Sequence, residues 1–220
     1  GQVKIADLDG NGFIDPGNFA VDDHGDLRII GNQSPRYRYG VNLSARWNGI
    51  GLSVFLQGVG ARDWYPGSDA GMFWGKYGRP FFALIPSIHN HTDDMYSAER
   101  NNWDTAYWPR MTTYQSNGTK NWTRLLEIPN TRYIQSAAYL RVKNIQLDYS
   151  FPKHICSAIR LQGLKIYVNA ENLFTFTPLH KYAPNFDPEG LSYDSDFASA
   201  ADGYTYPILK SVTVGVNITF

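Results

Sequence analysis

Hydrophobic and polar residues alternate most regularly at 207–220, which reads PILKSVTVGVNITF. Successive side chains of an extended chain point to opposite faces, so from residue 211 onward one face is apolar and the other is small and polar. The apolar face holds Val212, Val214, Val216, Ile218 and Phe220, and the polar face holds Ser211, Thr213, Gly215, Asn217 and Thr219. This pattern predicts a terminal β-strand with lipid on one side and an aqueous lumen on the other, as in a transmembrane barrel strand of about 9–11 residues.

Two further stretches alternate on either side of the dipeptide Asn48-Gly49. The first covers 36–47, and the second begins at Leu52 and continues to Gln57. Asn-Gly between two alternating runs is the strongest short-range signal for a tight β-hairpin. We therefore predict an antiparallel strand pair over 36–62.

A second strand pair is predicted over 137–177, with a short turn at 152–163. Within its first strand, the apolar positions of 145–151 and those of 140–142 have opposite parity. One extra residue in a strand moves the following side chains to the other face. We therefore predict a β-bulge at 143–144.

The connections between these strands fall into two classes. Those at 48–50 and 152–163 are short, whereas those at 63–136 and 178–206 are long. Antiparallel order places both short connections at one end of the sheet and both long ones at the other, which is typical of an outer-membrane barrel with short periplasmic turns and long extracellular loops. We predict an all-β fold that supplies the C-terminal five antiparallel strands of a large transmembrane β-barrel, with extracellular loops at these two long connections and at 1–35.

Composition adds three constraints. Lys plus Arg and Asp plus Glu number 20 each, so the formal net charge is zero, which gives no electrostatic reason to expect a nucleic-acid partner. Aromatic residues make up 15% of the chain, as expected for aromatic girdles or for a surface that stacks on sugars or peptides. The chain begins at Gly1 without Met, and five strands cannot close a barrel without leaving unpaired edges in lipid. We expect it to be part of a longer protein that supplies the remaining strands.

Residues 7–15 read DLDGNGFID and match the first two-thirds of a calcium-binding loop; we call this segment the acidic loop. The predicted ligands are Asp7, Asp9, Asn11, the carbonyl oxygen of Phe13, and Asp15. Asn18 stands at the twelfth position, where a bidentate Glu is expected, and Asp22 or Asp23 could take its place. The alternative is a metal-free turn, because Asp, Asn and Gly favour turns for conformational reasons alone.

Several motifs together resemble the end of the SusC/RagA-type TonB-linked (TonB-dependent) outer-membrane transporters of Bacteroidetes. They are DLDGNGFID at 7–15, YLRVKNIQLDYSFP at 139–152, NAENLFTFT at 169–177 and GVNITF at 215–220. The shorter matches IGN at 30–32, YRYGVNL at 37–43 and QGVG at 57–60 fall in the same order, so the resemblance spans nearly the whole chain.

The resemblance implies that the chain supplies the end of a barrel that imports a large nutrient, an oligosaccharide or a peptide, across the outer membrane. The implied partners are the rest of the barrel and its plug domain, a SusD-like surface lipoprotein that acts as a lid, the TonB complex, and the lipid of the outer membrane. No enzyme activity and no nucleic-acid partner are implied.

The long connection 63–136 carries clustered aromatic residues without a strand-like period. We predict that some of them contact the substrate or the lid: Trp64, Tyr65, Trp74, Tyr77, Trp103 and Trp108. Flat apolar rings suit both the faces of sugars and the centre of a protein interface. A third possibility is that the loop folds on itself around these rings.

Two other classes of function compete with import. A glycan hydrolase would need two carboxyl groups about 5–9.5 Å apart in a cleft, and no motif in the sequence fixes such a pair, so we expect no enzyme. A soluble calcium-dependent glycan-binding or adhesion β-domain would account for the acidic loop and the aromatic residues. It would not account for the long connection at 63–136, because connections within compact domains have a median of about 4–6 residues.

Overall fold

The computed structural model describes residues 4–65, 96–108, 129–184, 186–191 and 208–220. The chain divides into two compact units. The sheet unit comprises 35–62, 138–178 and 207–220, and the loop unit comprises 1–34, 63–137 and 179–206.

The sheet unit is one antiparallel sheet of five strands. In chain order the strands of the protein are β1 (Arg36–Trp47), β2 (Ile50–Ala61), β3 (Asp63–Trp64), β4 (Gln135–Ser136), β5 (Tyr139–Ser150), β6 (Gly163–Phe176) and β7 (Ser211–Thr219). The spatial order in the sheet unit is β1-β2-β5-β6-β7, and the short strands β3 and β4 pair with each other in the loop unit. The predicted all-β fold with five antiparallel strands is confirmed, although β7 begins at Ser211 and not at residue 207.

Two features predicted from local sequence are confirmed, namely the tight turn at Asn48-Gly49 and the β-bulge at 143–144. Asn48 and Gly49 have φ angles of 47° and 84°, which suit the tight turn between β1 and β2. The pairing of β5 with each neighbouring strand shifts at Lys143, where the bulge was predicted. As a result Val142 lies opposite Leu56 on β2 and Phe174 on β6, on the same side of the sheet as Ile145.

The apolar positions of all five strands gather on one side of the sheet, which we call the apolar face. Val214 of β7 lies opposite Val168 of β6, which lies opposite Leu147 of β5, and Leu147 lies opposite Leu52 of β2. Their side chains are exposed, with Val214 reaching 73%. This face is therefore exposed and can contact an apolar environment.

The other side of the sheet, the polar face, is joined by side-chain hydrogen bonds between neighbouring strands. Asn144 Nδ2 donates to Asn169 Oδ1 at 2.8 Å, and Arg141 Nε donates to Thr175 Oγ1 at 2.9 Å. At the edge, Ser211 Oγ donates to a carboxylate oxygen of Glu171 at 3.1 Å. These bonds fix the register of β5, β6 and β7 from the polar side.

A glycine on this face allows one aromatic ring to cover the backbone of β7. Gly215 lies directly opposite Tyr167, and a Cβ at Gly215 would lie 2.3 Å from Cζ of that ring. Such a distance is far below van der Waals contact, so only glycine fits while the ring keeps its place. The ring in turn covers a stretch of backbone that has no side chain of its own.

We therefore expect Gly215→Ala to lower the stability of the protein by about 1–3 kcal/mol, because the Tyr167 ring must move away from the strand. The matched control is Gly163→Ala, where a Cβ would meet Thr219 at 3.6 Å, an ordinary contact. The thermal unfolding midpoints of the two purified variants would be compared with that of the native protein. Equal midpoints for both variants would show that the ring is not held over Gly215.

The turn between β5 and β6 contains a short helix, α1 (Lys153–Ala158), which was not predicted. Its length is below two turns, too short for a helical period to appear in the sequence. Cys156 is the buried residue of this helix, with Sγ 3.7 Å from the carbonyl oxygen of Phe151. Among the described residues, no helix has the length and apolarity needed to cross a membrane.

Candidate functional site

The loop unit is organised around a cluster of buried rings and aliphatic side chains, which we call the aromatic core. Its buried members are Trp64, Tyr65, Trp108, Tyr133, Ala137, Leu179, Ala183, Phe186 and Leu191. They come from both long connections of the chain, so the two connections fold together into one unit.

Trp108 lies at the centre of the aromatic core. Its side chain is 1% exposed, its indole Nε1 donates to the carbonyl oxygen of Tyr182 at 3.1 Å, and its ring stacks on Tyr133 at 5.3 Å between centroids. Tyr107 stacks on Tyr182 with centroids 3.7 Å apart and an interplanar angle of 9°. Rings held on several sides in this way form a defined core and not a mobile surface.

The hydroxyls of Tyr65 and Tyr107 are held in their protonated form. Burial, together with the neighbouring Tyr182, raises the pKa of Tyr107 to about 12. Burial also raises the pKa of Tyr65, whose hydroxyl oxygen accepts a hydrogen bond from Asn130 Nδ2 at 2.8 Å. The protonated hydroxyl of Tyr107 donates a hydrogen bond to the carbonyl oxygen of Arg132, at 2.8 Å.

The six aromatic residues predicted to contact substrate or lid fall into three groups. The first group is buried in the aromatic core and comprises Trp64, Tyr65 and Trp108, which are 1–2% exposed. Their packing matches the possibility that the loop folds on itself around its rings. Side chains buried to this extent hold the loop together. Trp103 is 71% exposed and is free to make such a contact. Trp74 and Tyr77 lie outside the described residues.

The acidic loop closes on itself through hydrogen bonds from the backbone to its carboxylates. Asp7 accepts from Gly10 N at 2.6 Å and from Gly12 N at 2.8 Å, and the Gly12 bond lowers the pKa of Asp7. Asp9 accepts from Asn11 N at 3.0 Å, and Asn11 Oδ1 accepts from Phe13 N at 2.7 Å. These bonds turn the chain so that Asp7 and Asp9 lie on the same side of the loop.

A residue outside the predicted ligand set joins these two carboxylates. Asp26 is 7% exposed, and Asp7, Asp9 and Asp26 each offer a carboxylate oxygen within 4.8 Å of the others. Asp26 also accepts from the backbone N–H of Leu8 and, at 2.9 Å, from that of Asp15. Sequence reasoning missed Asp26 because it lies well beyond the twelve positions of a calcium-loop template.

The remaining acids near this loop make other contacts. Asp15 Oδ1 accepts from Gly17 N at 2.8 Å. Asp23, one of the two suggested substitutes for the missing Glu, bonds to the side chain of Asn18. Three gathered carboxylates with further oxygen donors nearby fit a hard divalent cation such as Ca²⁺, which takes six to eight oxygen ligands at about 2.3–2.6 Å.

The sequence is similar to three TonB-dependent receptors of Formosa agariphila. Receptor P3 is 26% identical over 226 residues, and the match covers 100% of this chain and 19% of the receptor. Receptor P26 is 22% identical over 224 residues, covering 100% of this chain and 20% of the receptor. Receptor P39 is 24% identical over 205 residues, covering 93% of this chain and 18% of the receptor. The chain thus spans about a fifth of the length of the curated relatives it matches.

The fold is similar to solved structures of the RagAB peptide transporter. One of them has a TM-score of 0.54 and 21% identity, with 89% of this chain and 18% of that chain covered. The RagAB peptide importer in its closed-closed state gives a TM-score of 0.52 and 20% identity, with 88% of this chain and 18% of that chain covered. No family model matches the chain. The sequence is thus similar to TonB-dependent receptors along nearly its whole length, and its five-stranded fold is similar to that of the solved RagAB structures.

Proposed function

We propose that this chain forms five neighbouring wall strands of an outer-membrane receptor that imports a large nutrient, an oligosaccharide or a peptide, with energy supplied through TonB. The observation that carries the proposal is the division of the sheet into an exposed apolar face and a hydrogen-bonded polar face. Lipid on the apolar side and water on the polar side satisfy both faces at once, which is the arrangement of a transmembrane barrel wall.

The two edges of the sheet indicate that further strands must pair with it. Among the described residues, β1 pairs only with β2, and β7 pairs only with β6. Unpaired backbone groups facing lipid cost several kcal/mol each, so both edges require partner strands. In the proposed receptor these strands belong to the rest of the barrel, which encloses the plug domain through which TonB acts.

The topology of the strands gives the proposed orientation. Both long connections leave the sheet from the end where β2 and β6 finish, and the two short turns lie at the opposite end. We assign the long connections to the cell exterior, where an incoming nutrient arrives first. A SusD-like surface lipoprotein would close over this side as a lid.

Uptake by whole cells tests the proposal. A strain that lacks the full-length receptor but keeps its neighbouring genes would be compared with the complemented strain and with a strain that lacks TonB. Labelled peptides and oligosaccharides of graded length would be supplied to each strain. We expect uptake of at least one class to require both the receptor and TonB, with the oligomer recovered intact in the periplasm. Unchanged uptake of every oligomer in both deletion strains would contradict the proposal.

A second proposal concerns the acidic loop, which we propose binds Ca²⁺ through the predicted residues Asp7, Asp9, Asn11, the Phe13 carbonyl and Asp15, with Asp26 completing the set. The gathering of three carboxylate oxygens within 4.8 Å supports it, because a cation would relieve their mutual repulsion. Bound Ca²⁺ would order residues 4–34 and take no part in transport chemistry.

Calcium removal gives a direct test of this second proposal. We expect hydrogen exchange at residues 4–34 of the full receptor to quicken when a chelator removes Ca²⁺, with half-saturation at about 10⁻⁴–10⁻³ M as in extracellular calcium modules. Asp9→Asn and Asp26→Asn should abolish the calcium dependence, whereas Asp104→Asn, at an exposed position far from the acidic loop in sequence, should retain it. Exchange that is insensitive to Ca²⁺ in the native receptor would favour the metal-free turn.

A further inference from the structure

Charges are distributed unevenly on the polar face of the sheet. Its basic residues are Arg36, Arg38, Arg46, Arg141 and Lys165, and its acidic residues are Asp148 and Glu171. This face therefore carries an excess of positive charge. Because the whole chain has a formal net charge of zero, the rest of the chain carries the balancing negative charge.

The two basic residues at the short-turn end, Arg46 and Lys165, share one carboxylate. Asp148 Oδ1 lies 3.1 Å from Lys165 Nζ and 3.6 Å from Arg46 Nη2. Gly51 lies between Arg46 and Asp148 in the register and has no side chain to separate them. One carboxylate therefore serves two cations at this end of the sheet.

Among the described residues of the sheet, no such partner stands at the long-connection end. Arg38 lies opposite Val59, which lies opposite Tyr139, and Arg36 lies opposite Ala61. Neither level of the described sheet contains an acidic residue, and the structure records no ion pair for Arg36 or Arg38 with any described residue. Both arginines are exposed. Two positive charges therefore remain on this part of the polar face.

We propose that Arg36 and Arg38 form a subsite for carboxylate groups of an anionic cargo, either an acidic oligosaccharide or an acidic peptide. The inference rests on the proposed function, because that function assigns the polar face to the lumen and the long-connection end to the cell exterior. It adds a charge preference for the cargo, which neither the strand pattern nor the related receptors supply.

The geometry suits a chain that bears repeated carboxylates. Arg36 and Arg38 are exposed at the start of β1 and are separated by Tyr37, whose φ angle is 58°. Their long side chains can therefore engage different carboxylates of one oligomer. A guanidinium group binds a carboxylate through two parallel hydrogen bonds, which gives orientation as well as attraction. At the entrance of a lumen, the same charges would also raise the local concentration of anionic cargo.

Competitive uptake by cells that carry the full-length receptor tests the subsite. Two pairs of probes of equal length are used, namely an oligouronate with its neutral hexose counterpart and a Glu-containing peptide with its Gln-containing counterpart. For the native receptor we expect the anionic member of at least one pair to be preferred. The double variant Arg36→Gln/Arg38→Gln should reduce that preference by about three- to tenfold, and added salt should do the same, because exposed charge contacts are weak and screened. The double Lys variant should keep most of the preference.

Arg46→Gln is the matched control, since it removes a cation from the same strand that lies beside a carboxylate, Asp148, at the opposite end of the sheet. It should leave the preference unchanged. A loss confined to the sugar pair or to the peptide pair would support the subsite and identify the source of the carboxylate. An unchanged preference in the double variant, with import retained, would overturn the subsite and assign both arginines to acidic groups of the rest of the receptor. Absence of import by the native receptor would overturn the proposed function itself.

Discussion

Replacing Val214 with Arg is expected to destabilise the receptor by about 2–4 kcal/mol if the residue lies near the middle of the bilayer. Val214 stands close to the centre of β7 on the apolar face, directly opposite Val168, and its side chain is exposed. A guanidinium group at this position would have to enter hydrocarbon or draw water and headgroups toward itself. Either response is costly, because charge is poorly solvated in lipid.

The neighbouring position supplies the control. Thr213→Arg places the same side chain one residue earlier, on the polar face opposite Asn169, where water and polar groups can solvate it. We expect a small effect at Thr213 and a large one at Val214. The measurements are the amount of folded receptor in isolated outer membranes and its thermal unfolding midpoint. Equal tolerance at the two positions would contradict the assignment of the apolar face to lipid.

The strands were predictable from the sequence because each carries its own two-residue period. The parity of the apolar positions identified the faces of β1, β2, β6 and β7, and the tight turn followed from Asn48 and Gly49. The change of parity within β5 even located its bulge at Lys143. These features depend on neighbours along the chain or on the strand next to it, so local reasoning is sufficient for them.

The candidate sites were less predictable because their members are distant in sequence. Asp26 reaches Asp7 and Asp9 only after the chain has turned back, and no spacing rule links it to them. The same holds for Asp148, which meets Arg46 and Lys165 through the pairing of four neighbouring strands, β1, β2, β5 and β6. Composition reveals the residue types in each case, but only the register of the folded chain brings them together.

The aromatic residues of the long connection pose this difficulty most clearly. Their clustering indicated that rings matter in this segment, but the sequence contains no period that separates buried rings from exposed ones. The structure makes that separation, since Trp108 lies in the aromatic core and Trp103 lies on the surface. The two tryptophans, five residues apart, therefore have different expected roles.

Trp108→Ala is accordingly expected to cost about 3–5 kcal/mol of loop-unit stability, through lost apolar burial and the cavity left beside Tyr133 and Tyr182. Hydrogen exchange of residues 129–137 and 179–184 in the full receptor would report it as lost protection, because these segments share the aromatic core with Trp108. Trp103→Ala removes an equally large ring from the surface and should leave protection within experimental error. Comparable losses in both variants would contradict the aromatic core described for the loop unit.

The same pair of variants separates loop stability from partner contact. If Trp103 touches the lid or the nutrient, as predicted from the sequence, Trp103→Ala should weaken co-purification of the lipoprotein or uptake of cargo while the loop stays protected. If Trp103 makes no such contact, both readouts should match those of the native receptor. Trp108→Ala should impair the two readouts only together with loop protection, because a buried ring acts on a partner through the fold that it holds. Weakened lipoprotein binding in Trp108→Ala with full protection of the loop would contradict its placement in the aromatic core and return it to the contact surface.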